Sequence, residues 1–209
     1  MISLPSIHTP PVLAKDELRR REIYRYLRLN GTPPDDTTKD AVETDLARLF
    51  TRARVAHTAD LFRLKRCGDL LAFGDFTTSS EALKKNLATS EYVVAFAMTL
   101  GDAVDRLISR LMITSKADAF ITDACATELL ESYANRYCAN IRDDARRYGL
   151  TTRPRFSPGF ADFGLEHQAP LIRLLDADKN IHIALSEGGM LIPAKTVTAV
   201  MGIDREETR

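Results

Sequence analysis

Residues Lys116 to Tyr148 read as one uninterrupted helix of roughly eight to nine turns, alanine-rich at its start and charged towards its end. Gly149 is a natural C-terminal stop for it. In a chain of 209 residues a helix that long leaves few layouts, and the segments around it decide between them. Tyr92 to Met98 is nearly all apolar and β-rich, which suits a central strand covered on both faces. Thr58 to Lys65 and Leu70 to Phe73 are short strand-like runs separated by Cys67-Gly68-Asp69, the pattern of a β-hairpin. Ser79 or Ser80 caps a short helix with Leu83 and Leu87 on its buried side. Asp102 to Met112 is amphipathic through Val104, Leu107, Ile108 and Leu111. Thr151 to Phe156 is extended, Leu165 to Leu175 is helical with Pro170 near its start, and Ile181 to Leu185 and Thr196 to Met201 are strands.

Upstream, Leu18, Ile23, Tyr24 and Leu27 mark a helix over Lys15 to Arg28. Gly31, Pro33 and Pro34 end it, and a second helix starts near Asp36, with Val42, Leu46, Leu49 and Phe50 as its stripe. Strand pairs thus sit between helices without the strict alternation of a parallel sheet, and the fold class is α+β. The expected organisation is one domain over residues 15–203, its helical pair at 15–54, with an extension at 1–14 and a loose charged tail at 204–209.

The 29 basic and 29 acidic residues cancel. A nucleic-acid binder needs a basic face, and an anionic membrane surface would ask for one too, so neither partner is expected. Met1 to Val12 holds three prolines and no apolar core of a signal peptide. No apolar run approaches the ~20 residues of a membrane span. Cys67, Cys125 and Cys138 are too few and too scattered for a disulfide framework. The expectation is a reduced, cytoplasmic protein.

Familiar catalytic patterns are missing. There is no glycine-rich phosphate loop, no G-x-S-x-G turn, no metal spacing among the four histidines, and no D-x-H-x-x-G of the kind that gives a histidine to cobalt. No catalytic side chain and no metal site are therefore expected.

Two stretches stand out. Arg153-Pro154-Arg155-Phe156-Ser157-Pro158-Gly159-Phe160 is followed, one helix later, by Leu185-Ser186-Glu187-Gly188-Gly189-Met190-Leu191-Ile192-Pro193 and Lys195-Thr196-Val197-Thr198-Ala199-Val200. Together they resemble the R-x-x-P-G-Y and L-T-E-S-x-x-M-x-P-x-x-S-V-S-G stretches of the activation domain of vitamin B12-dependent methionine synthase. The alanine-rich helix before them looks like the family's own, and the N-terminal helices with Thr99-Leu100-Gly101 look like its free-standing branch. The resemblance implies a curved antiparallel sheet flanked by helices, here with an N-terminal helical hairpin. It implies S-adenosylmethionine as cofactor, and a cobalamin carried by a partner, either a cobalamin-binding methionine synthase or another corrinoid protein. A flavodoxin-like electron donor belongs to the same scheme. The chain would then be a methyltransferase component that supports reductive remethylation of cobalamin in trans.

On that resemblance Arg155 is the arginine for the methionine carboxylate, a role for which a planar fork of donors is suited. Ser157, Pro158, Gly159 and Phe160 form the turn whose backbone approaches the ligand. Glu128, Glu131 and Glu187 are the candidate carboxylates for the positive sulfonium, with Asn135 an alternative on the same helix. The bland readings are an Arg155 that pairs with Asp162 or Glu166, a solvated helix face for Glu128 and Glu131, and a turn residue for Glu187. The chain departs from the family pattern at Phe160, where tyrosine is usual, and at Gly188-Gly189, which replaces a serine-containing pair; it has no tryptophan. These departures define the alternative function, a module that docks on and caps a corrinoid protein without binding S-adenosylmethionine.

Overall fold

A computed structural model describes residues 4–29 and 31–205. In chain order its helices and strands are α1 (Arg20–Tyr26), α2 (Asp36–Arg52), β1 (Ala56–Arg63), β2 (Lys65–Cys67), β3 (Leu70–Phe73), β4 (Phe76–Thr78), α3 (Glu81–Asn86), β5 (Tyr92–Thr99), α4 (Asp102–Thr114), α5 (Lys116–Arg146), β6 (Leu150–Thr152), α6 (Gln168–Leu174), α7 (Ala177–Ile181), β7 (Ala184–Leu185), β8 (Leu191–Ile192) and β9 (Thr196–Arg205). The main sheet has the order β1-β5-β9-β6, antiparallel throughout. This is the expected mixed fold of helices and antiparallel sheet.

Local chemistry places the helix starts. Asp35, Ser80 and Ser115 each accept a bond from the backbone N–H three residues on, at 2.8, 3.1 and 3.3 Å, satisfying donors that the first turn leaves free. Gly149, at φ +65°, follows the last turn of α5.

The main sheet is covered on both sides. On one face Val94, Phe96 and Met98 of β5 and Ala199, Met201 and Ile203 of β9 pack against α2, α4 and α5. On the other, Val93, Ala95, Ala97 and Val200 meet α3, α6, α7 and the small β2-β3-β4 sheet. The near-continuous apolar run of β5 follows from this double burial.

Four expectations differ from what is found. Lys15 to Arg28 is not one helix: a short 3-10 turn at Lys15–Glu17 precedes α1. The hairpin across Gly68 is β2-β3, whereas β1 leaves it and runs along β5. Ile181 ends a helix rather than opening a strand, because Asp176 and His182, both at positive φ, fold the five residues between them into α7. Finally, β9 extends to Arg205, and the buried Asp204 accepts from Ser90 Oγ at 2.5 Å and Thr89 Oγ1 at 2.7 Å. The start of the expected tail is therefore anchored, and 206–209 lie outside the described residues, as do 1–3 of the expected extension.

The segment from Leu4 to Arg19 is a strap without long helix or strand. Leu4, Ile7, Leu13 and Leu18 are buried. The Ile7 carbonyl accepts from Tyr137 Oη at 2.9 Å and from His57 Nε2 at 3.2 Å. Burial pushes the His57 imidazole below its ordinary 6.5, against the raising effect of the Ile7 bond. The unfolded chain therefore takes up a proton that the folded state resists. Stability is full above pH 6.5 and falls as the pH drops below that value. Denaturant midpoints should be lower at pH 5.5 than at pH 7.5, and His57→Phe should narrow the gap; an unchanged gap would assign the acid sensitivity elsewhere.

Candidate functional site

The site begins at the edge of the main sheet. After β6, Arg153 N–H donates to Gly202 O at 2.9 Å, and Phe156 exchanges two bonds with Val200, at 2.8 and 2.9 Å. Phe156 sits over the second core, against Phe160 and Phe163 with ring centroids 5.3 and 6.0 Å away. Its neighbour Arg155 takes the opposite side, as alternation along an extended chain requires. There it reaches α5: Nη2 donates to Glu131 Oε2 and, at 3.2 Å, to Asn135 Oδ1. Glu131 and Asn135 are one helical turn apart, so one guanidinium nitrogen bridges both. The result is a groove of about 250 Å³ lined by Glu131, Arg155, Phe156, Ser157 and Phe160.

The turn after Phe156 forms the groove's rim. Gly159 N–H donates to Phe163 O at 2.7 Å, and Phe163 N–H donates to Phe160 O at 3.0 Å. Gly159 has φ +92°, which is what favours glycine there, and a Cβ would stand 3.0 Å from Leu165 Cδ2, so the leucine side chain would have to shift. Asp162 ties the turn to α3. Its carboxylate accepts from Ser80 Oγ at 2.7 Å, Glu81 N–H at 2.7 Å and Ala82 N–H at 3.1 Å. The Ser80 hydroxyl, with the two amides behind it, holds this carboxyl below the usual carboxylate range. Asp162 is thus a capping residue and no partner of Arg155, and Glu166 instead lies 3.4 Å from His167.

The remaining candidates fall in different places. Glu128 points away from this groove and is fully buried. It accepts from Arg19 Nε at 3.1 Å, Arg19 Nη2 at 3.3 Å, the Arg19 backbone N–H at 3.2 Å and Ser132 Oγ at 2.7 Å. Glu187 is exposed in the turn between β7 and β8 and does not line the groove. Pro158 and Gly159 shape the rim without lining the groove. The carboxylate the structure brings to Arg155 is Glu131, and Asn135 stands with it.

Nucleophiles are absent from the groove lining apart from the Ser157 hydroxyl. Burial pushes the Cys125 thiol up to about 12 and the Cys138 thiol up to about 11, so both stay protonated and pack as small apolar groups. Among the described residues no group of three His, Cys, Asp or Glu side chains is placed to hold a metal ion, and no helix is long and apolar enough to cross a membrane. What the groove can do is bind: it presents a cation and an anion side by side next to aromatic surface.

Arg19, which meets Glu128 on the other side of α5, belongs to no motif that the sequence shows. Its one signal is that a charged residue follows the apolar Leu18, which the strap buries.

No family model matches the chain, and no curated protein matches its sequence. Its fold is similar to that of a solved structure, the MetH reactivation domain bound to AdoHcy, with a TM-score of 0.68 and 15% identity. The match covers 98% of this chain and 83% of that one. The chain has the fold of the methionine synthase reactivation domain.

Proposed function

We propose that the protein is an S-adenosylmethionine-binding reactivation component for a cobalamin-dependent methionine synthase, acting in trans on a cobalamin held by its partner. The observation that carries this reading is the Arg155–Glu131 pair at the groove. An α-amino acid end has a carboxylate and an ammonium a few ångströms apart, and an adjacent guanidinium and carboxylate complement both charges. All of Arg155's contacts run through Nη2, which leaves Nε and Nη1 to receive a ligand carboxylate. Glu131 then faces the ligand's positive groups. The likeness of the fold to a domain crystallised with AdoHcy supports the same ligand class.

S-adenosylmethionine, when bound, would supply the methyl group by loss of its S–CH3 bond, leaving S-adenosylhomocysteine, and the partner's cobalamin would take it up together with an electron from a donor. The residues of this chain hold and orient. Arg155 and Glu131 fix the amino acid end, and the Gly159 turn sets the rim. Exposed Phe160 and Leu165 (65% and 46% exposed) provide apolar surface at the mouth for a corrinoid protein. Rate enhancement then comes from bringing two cofactors together in a fixed orientation rather than from acid–base chemistry.

Calorimetric titration with S-adenosylmethionine tests the reading. The wild type should saturate, and Arg155→Ala should bind roughly ten- to a hundredfold more weakly, as loss of a charge-assisted contact implies. Glu131→Gln should weaken S-adenosylmethionine more than methionine, since only the former carries a sulfonium. No binding by the wild type would overturn the reading in favour of the docking module that caps a corrinoid protein, and that protein would be the next titrant.

A further inference from the structure

A cleft of about 540 Å³ lies on the exposed side of α1, opposite the buried Ile23. It shares no lining residue with the Arg155 groove. One wall is helical: Arg21, Tyr24 and Arg25 line the cleft, and residues three and four apart share a helix face. The other wall is Leu29 with residues 31–34. There the chain turns back, with Gly31 at φ +88° and Thr32 N–H donating to Leu29 O at 2.7 Å. Pro33 and Pro34 finish this wall. With fixed φ and no N–H, they offer a preformed surface of carbon. The volume falls within the ~300–1,000 Å³ typical of small-molecule pockets.

The charges of the cleft do not cancel. Three arginines in a row, Arg19 to Arg21, run through the start of α1. Arg19 is taken by Glu128, and Arg20 by Glu43 and the carbonyls of Lys15 and Leu18. Arg25 Nε donates to Glu22 Oε2 at 2.7 Å, so the carboxylate on the lining is already neutralised. Among the described residues Arg21 is left without an ion pair. The hydroxyls of Tyr24 and Thr32, also on the lining, donate to no described group. One uncompensated cation and two free O–H donors thus border a largely apolar space.

We propose that this cleft is a second ligand site, for a small organic acid with one negative charge and a flat apolar body. Arg21 receives the carboxylate through its planar fork of donors, and the Tyr24 and Thr32 hydroxyls donate to the same polar end. The body lies against Leu29 and between the Tyr24 ring and the two prolines. A phosphate monoester fits less well, because its second charge would meet no free cation in the lining. The site is independent of the Arg155 groove, so two different ligands could be bound at once.

The test is a titration of the full chain with naphthoate and with its neutral analogue naphthamide, followed by ligand-observed NMR and by the backbone amide shifts of the protein. Naphthoate should saturate, with shifts confined to residues 21–34, and naphthamide should bind roughly tenfold or more weakly, as loss of a charge-assisted contact implies. Arg21→Gln should bring naphthoate down to the level of naphthamide and leave naphthamide unchanged. Thr32→Trp, which fills the cleft, should abolish both. Arg21 and Thr32 are exposed, so both variants should keep native circular dichroism. Arg155→Ala and an excess of S-adenosylmethionine should leave naphthoate binding as it is, which separates this site from the Arg155 groove. No saturable binding, equal naphthoate affinity in Arg21→Gln, or shifts centred away from α1 would overturn the proposal and leave the Arg155 reading untouched.

Discussion

Phe163→Ala should cost about 3–5 kcal/mol, the usual range for truncating a buried phenylalanine. Phe163 is completely buried. Its ring lies 4.5 Å from His167, 6.0 Å from Phe156 and 6.2 Å from Phe76, centroid to centroid. The loss is a large part of a typical 5–15 kcal/mol. It should appear as a lower urea midpoint at unchanged slope. The same ring is the floor under Phe156 and the Ser157–Phe160 turn, so ligand affinity should fall even where the variant is still folded. A variant that loses less than about 1 kcal/mol would mean that the second core closes over the gap and that the turn does not depend on it.

Arg19→Ala is expected to destabilise by roughly 2–3 kcal/mol, below the 3–5 kcal/mol typical for breaking a buried pair. The discount follows from asymmetry: Glu128 is fully buried, whereas the Arg19 side chain is 51% exposed. Part of the arginine's solvation is therefore never lost, and part of its attraction is screened. What remains after truncation is a carboxylate inside α5 with only Ser132 Oγ as side-chain donor. Adding Glu128→Gln to Arg19→Ala should recover much of the loss, because a neutral amide needs no counter-charge. Double-mutant analysis of the pair should give a coupling well above the few tenths of a kcal/mol found for independent sites. Additive effects would show that the strap is held by Leu4, Ile7, Leu13 and Leu18 alone.

These two residues mark how far the chain can be read without coordinates. The long α5, the doubly covered β5, the caps at Ser80 and Ser115 and the stop at Gly149 were legible. Each depends on groups within four or five residues of one another, and the side-chain period of a helix or strand is written locally. The Arg155 motif was legible as a pattern, and the α+β class from the irregular order of helices and strand pairs. The departures came where short elements have no period to detect. Five residues of α7 between two positive-φ positions look like part of a strand. The strap, with its prolines, looks like an extension. Partner choice was the other gap. Asp162 and Glu166 were the carboxylates expected to pair with Arg155 if it were structural, and Glu128, Glu131 and Glu187 the candidates for a ligand's sulfonium. Which of them meets Arg155 depends on how α5 is rotated against the edge of β9, and that rotation is set by Ala126, Leu129, Ala134 and Tyr137 packing into the sheet. Glu131 then faces Arg155, Glu128 turns to the strap, and Asp162 is taken by the start of α3. The sequence by itself determined the elements and the kind of chemistry a groove here would need. Only the tertiary structure decided which charges stand together, because pairs separated by 24 residues, as Glu131 and Arg155 are, or by 109, as Arg19 and Glu128 are, are selected by packing and not by spacing along the chain.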